Sequence, residues 1–154
     1  MPRSRAGLIG AAVGGALAGL ALPRAGLWAF GWVGLVPFFL FANEGRSRRY
    51  AAAAGLAAGF GYHVAVLHWI YATCRFAQIP PFVALCALAA LAFVLGLNWA
   101  LIGYLGAVIG ERAPRALRPC LWAIVWTGVA GAFTSWTPRL AVDVLGYTQW
   151  RNLG

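Results

Sequence analysis

Two histidines, three cysteines and twelve arginines, with no lysine, are the residues of this 154-residue chain on which chemistry would have to rest. His63 and His68 stand five positions apart in an apolar stretch. On a helix that spacing separates them by about 140°, so they do not share a face as a metal pair at i and i+4 would. Ionisable groups inside a membrane are functional candidates by default. A histidine beside Trp69 near a helix end is, equally, an ordinary resident of the membrane interface. Cys74, Cys86 and Cys120 show no ligand spacing of the C-x-x-C kind, and Cys86, inside an apolar run, behaves as a small hydrophobe. A nucleophile needs a base and a charge stabiliser beside it, and the only pair the sequence offers is Cys74 with His68. The residues make no case for a metal, a cofactor or a catalytic centre. Asn98 is placed to hydrogen-bond between helices, an interaction of about 0.6 kcal/mol in membranes. Glu44 and Glu111 fall near block ends and Asp143 in the tail. A proton- or cation-coupled transporter needs a carboxylate in mid-membrane, and none is predicted there.

The elements that would position these residues are long apolar blocks. The chain is 62% apolar and only 10% charged, with a mean hydropathy of +0.77. Soluble domains carry about 25% charged residues, and a small soluble core could not bury blocks of this length, so the bilayer is the predicted solvent. The expectation is an all-α fold, a polytopic transmembrane bundle of about five helices forming a single membrane domain over 1–154. Helices are predicted near 7–22, 27–43, 50–73, 82–110 and 120–136, followed by a tail over 137–154. The first block reads as a helix and not as a cleavable leader, because Leu22-Pro23-Arg24 is a poor small-residue cleavage site. Pro37 is expected to kink the second. Trp69 and Tyr71 close the third with an aromatic belt. Small residues four apart (Gly10 and Gly14, Gly15 and Gly19, Gly55 and Gly59, Gly106 and Gly110) provide flat strips for close helix packing. No block carries a repeated polar stripe, which disfavours a small-solute channel.

A net charge of +9 is compatible with nucleic-acid binding, but the arginines sit in the gaps between blocks and share no face. Membrane topology explains them better, and no nucleic-acid partner is expected. With the N-terminus inside, cytoplasmic segments hold Arg3, Arg5, Arg46, Arg48, Arg49, Arg112, Arg115 and Arg118. The opposite side holds Arg24, Arg75, Arg139 and Arg151. That asymmetry predicts a cytoplasmic N-terminus and an extracytoplasmic tail.

Three stretches resemble the N-terminal membrane domain of the apolipoprotein N-acyltransferase family. Leu20-Ala21-Leu22-Pro23, Gly26-Leu27-Trp28 and Gly31-Trp32-Val33-Gly34-Leu35-Val36-Pro37 resemble the family's first hairpin. Gly59-Phe60-Gly61-Tyr62, leading to His68-Trp69-Ile70-Tyr71, is similar to its third helix and aromatic end. Pro119-Cys120-Leu121-Trp122, then Leu145-Gly146-Tyr147-Thr148-Gln149, is similar to its fifth helix and the Leu-Gly-Tyr-Ser-Gln string beyond. The order and spacing of these strings carry the resemblance across nearly the whole chain. The sequence departs from the family at Ala123 to Val129, which lacks the usual acidic residue and arginine, and at Ser135-Trp136-Thr137-Pro138-Arg139, in place of Gly-Phe-Pro-Trp.

The resemblance implies a place in the cell inner membrane and a part in lipoprotein biosynthesis. In that family an acyl chain passes from a phospholipid to the N-terminal amine of a lipoprotein, by a Glu-Lys-Cys triad in an extracytoplasmic nitrilase-like domain. A chain without lysine cannot house that triad, so no cysteine here inherits the role, and the chain alone is expected to be inactive. The implied partners are membrane phospholipid and a separately encoded nitrilase-like catalytic chain. His68, Trp69, Tyr71, Gly146, Tyr147 and Gln149 are the implied lipid or substrate-platform residues. The rival readings are a small independent membrane scaffold or lipid-binding subunit, and a truncated gene product.

Overall fold

Local signals in the sequence decide where the helices start and stop. In the computed structural model, which describes residues 2–22, 27–43 and 47–136, every regular element is helical. They are α1 (Pro2–Leu20), α2 (Phe30–Val33), α3 (Val36–Ala42), α4 (Arg48–Val66), α5 (His68–Phe76), α6 (Pro81–Arg112), a 3-10 turn (Arg115–Leu117) and α7 (Arg118–Trp136). The tail over 137–154 lies outside the described residues. Ser47 caps α4: its backbone is extended, and its hydroxyl accepts the Tyr50 N–H at 3.1 Å, satisfying a donor that the first turn leaves unpaired. Pro81 opens α6 where a missing N–H does no harm. Pro114 forces Ala113 into an extended conformation, which ends α6. Gln78 closes α5 in the left-handed region, at φ 59. Its N–H reaches the Arg75 carbonyl, and the Ile79 N–H reaches that of Cys74, at 3.1 and 3.0 Å, the double bond of a Schellman stop.

Two predicted helices are interrupted. The second block splits at Gly34 and Leu35 into α2 and α3, because Pro37 cannot donate to the Val33 carbonyl four residues back. The third bends by 45° at Leu67 into α4 and α5. There the Nδ1–H of His68 donates to the Ala65 carbonyl at 2.8 Å, meeting an acceptor of the last turn before the break. Two helices, Pro81–Arg112 and Arg115–Ser135, are each long and apolar enough to cross a membrane, and the bent α4–α5 pair makes a third if it counts as one span. Arg5–Leu20 and Phe30–Ala42 are shorter apolar helices. At 1.5 Å per residue, the 32 residues of α6 extend about 48 Å, well beyond a hydrocarbon core of about 30 Å.

Close approaches between backbones fix the direction of each helix. Gly7 lies against Tyr50, Gly15 against the Ala58 carbonyl, and Gly19 against Tyr62 and Ala65, so α1 and α4 run parallel. Gly103 abuts Ala51 and Gly55 abuts Trp99, so α6 returns antiparallel to α4. Gly10 against Phe41 and Gly14 against Pro37 place α3 antiparallel to α1, and Gly106 against Trp122 with Trp99 against Trp126 place α7 antiparallel to α6. The glycine strips thus serve packing, as predicted; only Gly110 among the eight paired glycines has nothing within 4 Å. Alanines from α1 and α4 share the core with Phe38, Tyr62, Trp99, Ile102 and Trp122. The aromatic rings interlock, with Tyr62 and Trp99 centroids 5.0 Å apart and Trp99 and Trp126 4.9 Å apart.

The outer surface inverts the usual soluble pattern. Ile9, Trp32, Leu40, Phe82 and Ile124 all point outward, each more than 60% exposed. Soluble monomers rarely expose contiguous apolar area on that scale, and the pattern suggests a membrane protein.

Candidate functional site

The alternating helix directions sort the charged residues into two ends. One end gathers Arg5, Arg48, Arg49, Arg112, Arg115 and Arg118; at the opposite end the described residues include Arg75. The predicted platform residues His68, Trp69 and Tyr71 fall on α5, at this second end. The other platform candidates, Gly146, Tyr147 and Gln149, lie outside the described residues.

Helix α5 sits at an angle because of the bend at Leu67, and its two sides differ. Tyr71 packs with Ile70 against a small cluster of Leu67, Leu88 and Leu95 from α5's base and α6. Trp69 points outward at 43% exposed, and Phe76 stands free at 91%. Aromatic side chains beside an arginine at a helix end are what a membrane interface selects. His68 is exposed and spends its Nδ1–H on the helix break. It does not meet Cys74, which lies six residues further along α5 and about 240° around its axis. His63 is buried at 2% exposed; its Nδ1–H donates to the Gly59 carbonyl at 2.7 Å, and its ring packs edge-on against Tyr62. Each histidine thus commits one ring nitrogen to a carbonyl of the preceding turn. Among the described residues, no three His, Cys, Asp or Glu side chains gather as a metal site would require.

The arginine-rich end holds polar contacts that sequence reasoning missed. Arg48 grips Glu111 with two nitrogens, Nε at 3.0 Å and Nη2 at 2.7 Å, tying the start of α4 to the end of α6. Arg48 is the first residue of α4 and Glu111 stands in the last turn of α6, at the polar ends of these helices. The hydrogen bonds from Arg48 hold the Glu111 carboxyl below its ordinary pKa, and raise that of the guanidinium. The pair is half-exposed, so it specifies register more than it stabilises. The interhelical bond expected of Asn98 is made elsewhere. Asn98 is half-buried and bonds no other helix among the described residues, whereas Asn43 accepts the Trp122 indole N–H at 3.0 Å. Its position at the end of the second block was the only available signal, and that spoke of a helix end and not of a partner.

Beside this bond lies a cavity of about 690 Å³ between α3, α7 and the turn joining α6 to α7. Asn43, Arg115 and Arg118 line its arginine-rich end, Phe39 and Trp122 stand one helical turn further along α3 and α7, and Leu35 and Trp126 one turn further again. Phe39 and Trp122 meet edge-on with centroids 5.6 Å apart.

The sequence pattern of the apolipoprotein N-acyltransferase N-terminal domain matches residues 14–154. The chain belongs to that family. No curated protein matches it significantly. The family match takes in every described helix from the middle of α1 onward, including α5 and both walls of the cavity. Of the three strings noted in the sequence, the first runs from the end of α1 into α3. The second spans the bend between α4 and α5, and the third begins at the N-terminal turn of α7.

Proposed function

We propose that residues 1–154 act as one membrane domain in lipoprotein N-acylation, presenting phospholipid and lipoprotein to a catalytic centre that they do not contain. The family match carries this reading, on a bundle whose outward face is apolar. The chain crosses the cell inner membrane in five passes, with α2 and α3 together counting as one and α4 and α5 as another. The arginine-rich end faces the cytoplasm, because short loops rich in arginine are retained there. The end bearing α5 faces outward, and the tail emerges on that side. Helix α5 forms the outer end of its pass, with Trp69 and Phe76 at headgroup level and Tyr71 anchoring it to α6. No nucleic acid is a partner.

Acyl transfer in this family depends on a lysine-containing triad, and the sequence holds no lysine. The chemistry therefore comes from a nitrilase-like catalytic partner acting above the outward face. Two arms test this. The purified chain in phospholipid vesicles, given a diacylglyceryl lipopeptide, is expected to leave its mass unchanged; acylation by the chain alone contradicts the proposal. Grafted in place of the membrane segment of an intact apolipoprotein N-acyltransferase, the chain is expected to support acylation, and Trp69→Ala with Tyr71→Ala to reduce it. A folded, inserted graft that supports none counts against the platform role.

A further inference from the structure

We propose that the cavity between α3 and α7 binds one anionic phospholipid from the leaflet at the arginine-rich end. Its phosphate is held by Arg115 and Arg118, and an acyl chain lies along Phe39, Trp122 and Trp126. The proposal rests on the membrane placement above, and not on any role in acyl transfer.

Four observations support it. First, the cavity grades from polar at the arginine-rich end to largely apolar beyond it on both walls, with Thr127 a polar side chain at the far end of α7's wall. From Asn43 to Leu35 on α3, and from Arg118 to Trp126 on α7, eight residues descend about 12 Å. A lipid has that same gradient from headgroup to chain; a soluble anion would leave the apolar depth unused. Second, the buried Nε of Arg118 has no hydrogen-bond partner among the described residues. A buried polar atom without a partner is unfavourable, and a phosphate oxygen would satisfy it. Third, the described residues lining the cavity include no carboxylate. Arg118 also borders a smaller hollow of about 100 Å³ shared with Glu111, but that carboxylate is engaged by Arg48. Two guanidinium groups with planar donor forks match phosphate geometry better than ammonium groups would. Fourth, the volume of about 690 Å³ falls within the range of about 300–1,000 Å³ typical of small-molecule sites.

The test measures lipid retained by the purified chain after exchange into detergent, with phosphatidylglycerol and phosphatidylcholine of equal chain length as probes. Wild type is expected to retain phosphatidylglycerol roughly ten-fold better. Arg115→Gln with Arg118→Gln is expected to abolish that preference, while Ala123→Trp, which fills the wall of the cavity, lowers retention of both lipids. Arg49→Gln with Arg112→Gln, at the same end but away from the lining, is expected to leave the preference intact. Equal retention of the two lipids by wild type overturns the proposal without need of any variant. So does an equal loss in the Arg49 and Arg112 variant, which would mean surface charge only. Displacement by glycerol phosphate at lipid-like concentration would mean a soluble anion, and protection of the site by self-association would mean a second copy; either also overturns it.

Discussion

Trp122 is 4% exposed, meets Phe38 edge-on at 5.8 Å and donates its one N–H to Asn43. Asn43→Ala would strand that buried donor, at a cost of about 1–3 kcal/mol. Unfolding in a graded mixture of denaturing and mild detergents is expected to show a loss of that size. Asn98→Ala, at a position without an interhelical bond among the described residues, is expected to shift the same measurement by less than about 0.5 kcal/mol. The contrast shows what single residues disclosed beforehand. An asparagine in mid-block is conspicuous in a sequence, and one at a block end is not; yet the partner was 79 positions away from the latter. The histidines show the same limit of reading residues singly. Their ionisable rings drew attention, but each donates to a carbonyl of its own segment, four residues back for His63 and three for His68.

Helix packing depends on the backbones' close approach. Gly15 sits so near the Ala58 carbonyl that any Cβ would overlap it, and overpacking of this kind costs about 1–3 kcal/mol. Gly15→Ala is expected to destabilise the α1–α4 pair by that amount. Gly128→Ala on the outer face of α7, where nothing lies within 4 Å, is expected to be neutral or slightly stabilising. Equal effects on detergent-induced unfolding would dismiss the packing account. At this scale the sequence was largely readable. Apolar blocks, prolines and arginine gaps marked α1, α6 and α7 within a few residues. The interruptions were harder. Pro37 announced a kink, but the bend at Leu67 has no proline or glycine beside it. Leu67 and Tyr71 pack onto α6 at the bend, a tertiary contact that periodicity does not register.

For the molecule as a whole, alternating helix directions, an apolar exterior and segregated arginines all describe one object, a bundle surrounded by hydrocarbon with a cationic end. The family was legible through the order of short strings, since these follow the turns and helix ends that the fold requires. The cavity between α3 and α7 was not legible, because its walls are some 80 positions apart in sequence and become neighbours only through the antiparallel return of α7. The asymmetry between the ends gives the most direct test. In a background lacking the other cysteines, Cys74 on α5 and a cysteine introduced by Arg49→Cys on α4 are each exposed to a membrane-impermeant maleimide. The measurement is made on sealed cells and again after permeabilisation. Labelling of Cys74 from outside, with the position-49 thiol reached only after permeabilisation, is the expected result. If both thiols react from the same side, or if the order is reversed, the membrane orientation proposed here is wrong.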